Sequence, residues 1–308
     1  MVIGSVPEAA EYVRMSYALS AEGCLAGTNR NWRFARPLDE TEIIKEDEAH
    51  DMSRLNELKI KLKQKKPVLG TTIGNIAWSG LAQKVAQFPF DFLVLDEEHG
   101  TLSAEASEEI LRICRLCDLP TIVRIPDAVP NLISKTLDMG ADGLMIPRFE
   151  RMEQLETAIR AARYYPRGRK GCGGFSNLRP EDEGSIEKYN DNRLLIVQIE
   201  SSEGLAILPK ALEAYRDEIA CVLIGPYDSS IMLGTPLDIT SATMKAYIKK
   251  VFDICNTVGV SCGSFVDNAE MIDDYRELGA NTFWTGTEIS LLCEAYGSLC
   301  QKFREKTK

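Results

Sequence analysis

No stretch of the 308-residue chain approaches the ~20 consecutive apolar residues of a membrane-spanning helix. The N-terminus also lacks the basic start and apolar run of a signal peptide, so a cytoplasmic location is expected and the membrane is not a partner. Positive charge is the next shortage: 36 Lys and Arg face 46 Asp and Glu, a net charge of −10. A chain this acidic has no general basic face for nucleic acid, although a metal and a few arginines can reverse the field locally for a small anion. A disulfide framework is missing too. The nine cysteines are an odd count scattered from Cys24 to Cys300, which reads as reduced thiols. Cys114 and Cys117 form a C-x-x-C pair, but no second pair exists to complete a zinc site, so two small apolar positions on one helix are expected.

What is present is 44% hydrophobic and 27% charged residues, the profile of a globular chain with a large core. From residue 67 onward, short β-rich runs alternate with longer helical patterns. The expected strands are Pro67–Ile73, Phe90–Leu95, Pro120–Ile125, Gly143–Ile146, Leu194–Ile199, Cys221–Ile224, Val260–Phe265 and Asn281–Trp284. Amphipathic segments between them include Ala104–Cys117, Asn131–Met139, Met152–Arg163, Thr243–Thr257 and Glu288–Phe303. Eight such units predict an α/β fold closed into a (β/α)8 barrel, with an open doubly wound sheet as the alternative. Gly140 and Gly279 sit just past helix ends and read as helix-to-strand turns. Residues 1–54 fall outside the alternation. They carry Arg30, Arg33 and Arg36 and then an acidic run containing His50, and read either as a lid or oligomer arm or as an extension packed outside the barrel. The predicted organisation is thus an extension over 1–54 and a barrel over 55–308, entered through a charged helix, Arg54–Lys66.

Barrel chemistry sits where strands end at their C-terminal side. The second strand ends in Asp96-Glu97-Glu98-His99-Gly100, the third at Arg124, the fifth in Gln198-Ile199-Glu200, and the sixth leads into Gly225-Pro226-Tyr227-Asp228. Gln198 and Glu200, two apart on a strand, point to the same side. Glu200 and Asp228 could supply hard carboxylate oxygens to Mg2+, Mn2+ or Co2+ from adjacent strands. Alternatively, each caps a following helix. His99 is a candidate general base or acid, or else a polar loop residue. Arg124 suits a carboxylate or enolate oxygen, or else a rim ion pair to the Asp96–Glu98 cluster. The basic stretch Arg163–Gly171 lacks P-loop spacing, which argues against a nucleotide site. It is expected to form a cationic flap over the mouth.

Six segments carry a further signal: Phe90–Gly100, Val123-Arg124-Ile125-Pro126, Leu137-Asp138-Met139-Gly140-Ala141, Tyr165-Pro166-Arg167-Gly168, Val197-Gln198-Ile199-Glu200 and Ile224-Gly225-Pro226-Tyr227-Asp228. In this order they resemble the HpcH/HpaI aldolase family, class II metal-dependent 2-oxo-acid aldolases related to the citrate lyase β subunit. The resemblance runs from roughly Leu55 to Phe303. It implies a TIM barrel of the phosphoenolpyruvate/pyruvate-binding type, with Glu200 and Asp228 as ligands of a divalent metal (Mg2+, Mn2+ or Co2+). It further implies His99 as catalytic base, Arg124 as the arginine steadying the oxyanion, Gln198 as a substrate-binding residue and Tyr227 as a position whose backbone meets the substrate. Asp138 matches an aspartate that raises the basicity of the histidine. It also ends a helix, so the alternative is a helix-end carboxylate on the opposite barrel face. Glu97, where the family often has a small or apolar residue, and Ser229, where leucine is common, depart from the pattern.

The implied reaction is reversible aldol cleavage of a 4-hydroxy-2-oxo acid to pyruvate and an aldehyde, through an enolate held at the metal. No inferred strand end offers a lysine for the Schiff-base strategy. Oxaloacetate decarboxylation, enolate transfer of a citrate-synthase-like or macrophomate-synthase-like kind, and a non-catalytic scaffold are the alternatives. The expected partners are a 2-oxo acid (pyruvate or oxaloacetate) and an aldehyde or other acceptor. A homo-oligomer, a hexamer or trimer of dimers, is also implied, with the stripe Ile289, Leu292, Cys293 and Tyr296 of the last helix packed either on a neighbour or in the core.

Overall fold

The computed structural model describes residues 52–307 apart from Glu183. The expected extension, with His50 and the arginine-rich run, lies outside the described residues except for its last three. Eight parallel strands close in sequence order: β1 (Val68–Ile73), β2 (Phe92–Asp96), β3 (Thr121–Arg124), β4 (Gly143–Ile146), β5 (Leu194–Ile199), β6 (Ile219–Ile224), β7 (Ser261–Val266) and β8 (Thr282–Thr287). The pairing of Val68 with Thr282 joins β8 back to β1 and excludes the open sheet. The expected strand ends are met within two residues, except that β8 runs three residues past Trp284.

The helices are α1 (Arg54–Lys63), α2 (Gly80–Val85), α3 (Ala104–Leu116), α4 (Pro130–Asp138), α5 (Met152–Ala162), α6 (Ile186–Asn192), α7 (Ser202–Tyr215), α8 (Pro226–Met232), α9 (Ala242–Val258), α10 (Ala269–Glu277) and α11 (Glu288–Lys306). Helix α3 shows why such segments form. Ser107, Ile110, Leu111 and Cys114 make one buried stripe, and the Ser103 hydroxyl accepts from the Ala106 amide at 3.3 Å. Cys114 is therefore a core residue, its thiol pushed up to about 12 by burial, while Cys117 caps the helix. Gly140 and Gly279 take φ values of 108° and 90°, the left-handed turns that the sequence pattern requires.

The core has two layers. One lies between strands and helices. The other fills the barrel with Val94, Ile122, Met145, Ile196, Leu223 and Trp284, and Leu55, Leu58 and Leu62 of α1 pack against it.

The basic stretch after α5 does not cover the mouth. Arg163 and Arg167 both pair with Glu218, which directly precedes β6, at 3.0 and 2.9 Å. A second Arg167 nitrogen lies 2.5 Å from Asp191 at the end of α6. The reason is directional: helices in this fold return toward the N-terminal end of the barrel, so a loop after a helix starts there.

Candidate active site

At the C-terminal end of the barrel, Asp96 closes β2 and Arg124 closes β3, paired across the register. Arg124 binds both Asp96 oxygens, Nε to Oδ1 at 2.9 Å and Nη2 to Oδ2 at 2.6 Å. Burial pushes the Asp96 carboxyl up, but the Arg124 hydrogen bonds and charge outweigh it and hold it below its ordinary value. Arg124 also reaches Glu98 at 3.4 Å, so the rim ion pair weighed from the sequence is present. It does not consume the guanidinium, which also feels the charge of Glu200 across the mouth. His99 is exposed. Its Nε2 lies 3.7 Å from Glu98, and its backbone amide donates to Asp96 at 3.3 Å.

Across the barrel, Gln198 and Glu200 share one side of β5, and the Gln198 amide donates to Glu200 Oε1. Glu200 is 2% exposed and accepts the Arg148 backbone N–H at 2.9 Å. Burial pushes its carboxyl up to about 8. The Arg148 amide opposes this, and the charges of Asp228 and Glu98 reinforce it. Neither carboxylate caps a helix. Ser201 caps α7 through its own hydroxyl, which accepts from Gly204 at 3.1 Å, and Gly225 is the N-cap of α8. Asp228 is half-buried in the first turn of α8. Tyr227 donates its hydroxyl to Asp267 at 2.6 Å and tilts against Phe265 at 6.3 Å. Burial and that hydrogen bond push its phenol up to about 12.

Whether these groups suit a metal turns on the donor set. Among the described residues, no three His, Cys, Asp or Glu side chains gather into a closed metal site. Two carboxylates are hard, oxygen-only donors of the kind that Mg2+, Mn2+ or Co2+ accepts together with water or a substrate oxygen. The buried Gln198 Oε1, without a hydrogen-bond partner, adds a polar atom on the same side.

Asp138 is not part of this group within the chain. It ends α4 at the other end of the barrel, where it accepts from Lys170 at 2.5 Å and lies against Gly173 and Gly174. Of two further residues of the mouth, the sequence marked Glu98 only as part of an acidic cluster and did not single out Arg148. Glu98 touches His99, Arg124 and Arg148, and burial raises its carboxyl. Arg148 follows β4, a strand end that reads as apolar up to Pro147.

Comparison with known proteins identifies the family. Residues 76–295 match the family described as HpcH/HpaI aldolase/citrate lyase. A hydroxypyruvate/pyruvate aldolase of Roseovarius nubinhibens is 30% identical over 236 residues, 74% of this chain and 91% of that protein. A 4-hydroxy-2-oxo-heptane-1,7-dioate aldolase of Escherichia coli is 28% identical over 254 residues, 80% of this chain and 95% of that one. The crystal structure of an HpcH/HpaI aldolase from Desulfitobacterium hafniense shares the fold, with TM-score 0.75 at 23% identity over 80% of this chain and 96% of its own. The chain belongs to the HpcH/HpaI aldolase/citrate lyase family and is a carbon–carbon lyase of the aldolase kind.

Proposed function

We propose that the protein cleaves, and in reverse forms, the C3–C4 bond of a 4-hydroxy-2-oxo acid, with pyruvate or hydroxypyruvate as the enolate half and an aldehyde as the other. The observation that carries this reading is the Glu200 carboxylate, desolvated until its pKa reaches about 8 and pushed the same way by Asp228. A carboxylate desolvated to this degree is ionised at neutral pH chiefly when a cation lies beside it. Glu200 and Asp228 would hold a divalent metal. When bound, it supplies Lewis-acid polarisation of the substrate's keto group and neutralises the carboxylates.

The chain's own residues do the rest. Gln198, 1% exposed, donates its amide to Glu200 Oε1 and leaves its unpartnered Oε1 on the same side, where it can accept from a hydroxyl of the bound 4-hydroxy-2-oxo acid. Arg124, its orientation fixed by Asp96, faces the oxygen on which enolate charge develops, a role typically worth ~2.7–4 kcal/mol for one donor. In cleavage, His99 takes the proton of the 4-hydroxyl, directly or through water. The C3–C4 bonding electrons pass into the enolate, and its protonation at C3 completes the 2-oxo acid. Glu98, 3.7 Å from His99 Nε2, stabilises the imidazolium formed in between. On α11, Ile289, Leu292, Tyr296, Leu299 and Phe303 are exposed, 41–67% each, and we read them as the face that packs on a second copy.

The test is a screen for release of the 2-oxo acid from 4-hydroxy-2-oxo acids, with oxaloacetate decarboxylation measured in parallel, on wild type, Glu200→Gln and Asp228→Asn. Cleavage that needs a divalent metal and both carboxylates is expected. Full activity in Glu200→Gln would overturn the reading.

A further inference from the structure

Arg148 is a residue of the mouth whose side chain the reaction above does not use. It is not glycine, yet its φ is +43°, a backbone conformation that L residues rarely adopt. Its backbone is fixed on every side. The N–H donates to Glu200 at 2.9 Å, the carbonyl accepts from Gln154 Nε2 at 3.1 Å, and the next amide, that of buried Phe149, donates to the Gln198 carbonyl at 3.0 Å. Two of these partners, Glu200 and Gln198, belong to the metal side of the mouth, so that side sets where the Arg148 side chain begins.

That side chain is the opposite of Arg124's. The Arg124 side chain is 15% exposed and paired with both Asp96 and Glu98, whereas that of Arg148 is 64% exposed. Among the described residues its guanidinium has one side-chain partner, Glu98 at 3.3 Å, which Arg124 and His99 share. A guanidinium offers five N–H donors in a fork matched to a carboxylate, so most of this one faces the space above the site. Backbone in such sparsely populated conformations persists where the surrounding structure holds it, and it clusters at functional sites.

We propose that Arg148 selects substrates bearing a second carboxylate, at the end of the molecule remote from the 2-oxo acid group. The proposal rests on the metal site at Glu200 and Asp228, which anchors the 2-oxo acid end. The distal carboxylate exchanges with Glu98 on the Arg148 fork. An acceptor of this class is a carboxylated aldehyde rather than a neutral one.

The experiment compares 2-oxoadipate with 2-oxohexanoate, equal in chain length and differing in the terminal carboxylate. Binding is measured by calorimetry with Mn2+ present, for wild type, Arg148→Met and Arg148→Lys. Wild type should prefer 2-oxoadipate. Arg148→Met should cut that preference about 10-fold, the scale of one charge-assisted hydrogen bond, and Arg148→Lys should retain part of it. The preference should also shrink with added salt. Equal binding of the two acids by wild type would overturn the proposal. So would a preference unchanged in Arg148→Met, including a parallel loss of both affinities, which would mark Arg148 as a backbone support of Glu200. Because the readout is binding, failure of any 4-hydroxy-2-oxo acid to turn over would count against the aldolase reading alone.

Discussion

Gly225→Ala isolates the metal site from the fold. Gly225 has φ −89° and ψ 97°, a region open to alanine, so the backbone raises no objection. The added Cβ would lie 2.0 Å from Glu200 Oε1, 2.5 Å from Gln198 Nε2 and 3.0 Å from Glu200 Cδ. All three atoms belong to side-chain ends, which can swing aside. The stability cost should therefore sit near the bottom of the overpacking range, about 1 kcal/mol. The site cannot absorb the same movement. Swinging the Glu200 carboxylate gives up the Arg148 N–H at 2.9 Å and the Gln198 amide. Disturbing what orients a metal ligand typically costs about 10–100-fold in affinity, and that loss is expected here. Mn2+ titration by electron paramagnetic resonance, run beside thermal unfolding, measures both quantities. Unchanged Mn2+ affinity would refute the argument, and so would a variant that fails to fold, because the clash would then reach the backbone.

Glu200 must release its proton to bind a cation, so Mn2+ affinity should climb about tenfold per pH unit below the value of about 8 and level off above it, as titration across that range would show. In the metal-free protein, its folded pKa lies above the ordinary 4.5, so ionising it costs stability that grows from pH 4.5 to 8; Glu200→Gln should gain Tm over wild type across that window and hold the gain above it. His99→Ala should keep Mn2+ affinity while cleavage slows about 10²–10⁴-fold, the usual share of acid–base help. At the other end of the barrel, buried Arg179 binds Asp142 through two nitrogens at 2.5 and 2.8 Å and Asp118 at 2.6 Å. Arg179→Met should cost about 3–5 kcal/mol in denaturant unfolding by stranding the Asp142 charge.

The barrel was legible because its parallel strands are nearly continuous apolar runs and its helices carry 3.6-residue stripes. Where the stripe was weak, an element was missed: helix α6, Ile186–Asn192, is polar, and buries Tyr189, Asn190 and Asn192 rather than an aliphatic face. Glu200 and Asp228 were singled out because strand ends mark barrel chemistry. Arg148 was not, because its signal is a φ value that no residue pattern announces. The basic loop after α5 was placed by its charge over an anionic site, but the direction of the preceding helix decides where it lies. The place of Asp138 at the end of α4 follows the same rule.

The central claim is that this mouth forms an enolate from a 2-oxo acid with a metal held by Glu200 and Asp228. Exchange of the pyruvate methyl protons with solvent deuterium, followed by proton NMR with no aldehyde present, tests it most directly. Exchange should appear with Mg2+, Mn2+ or Co2+, stop on adding chelator, and be lost in Glu200→Gln and Asp228→Asn. Undiminished exchange in chelator-treated protein or in Glu200→Gln would contradict the account.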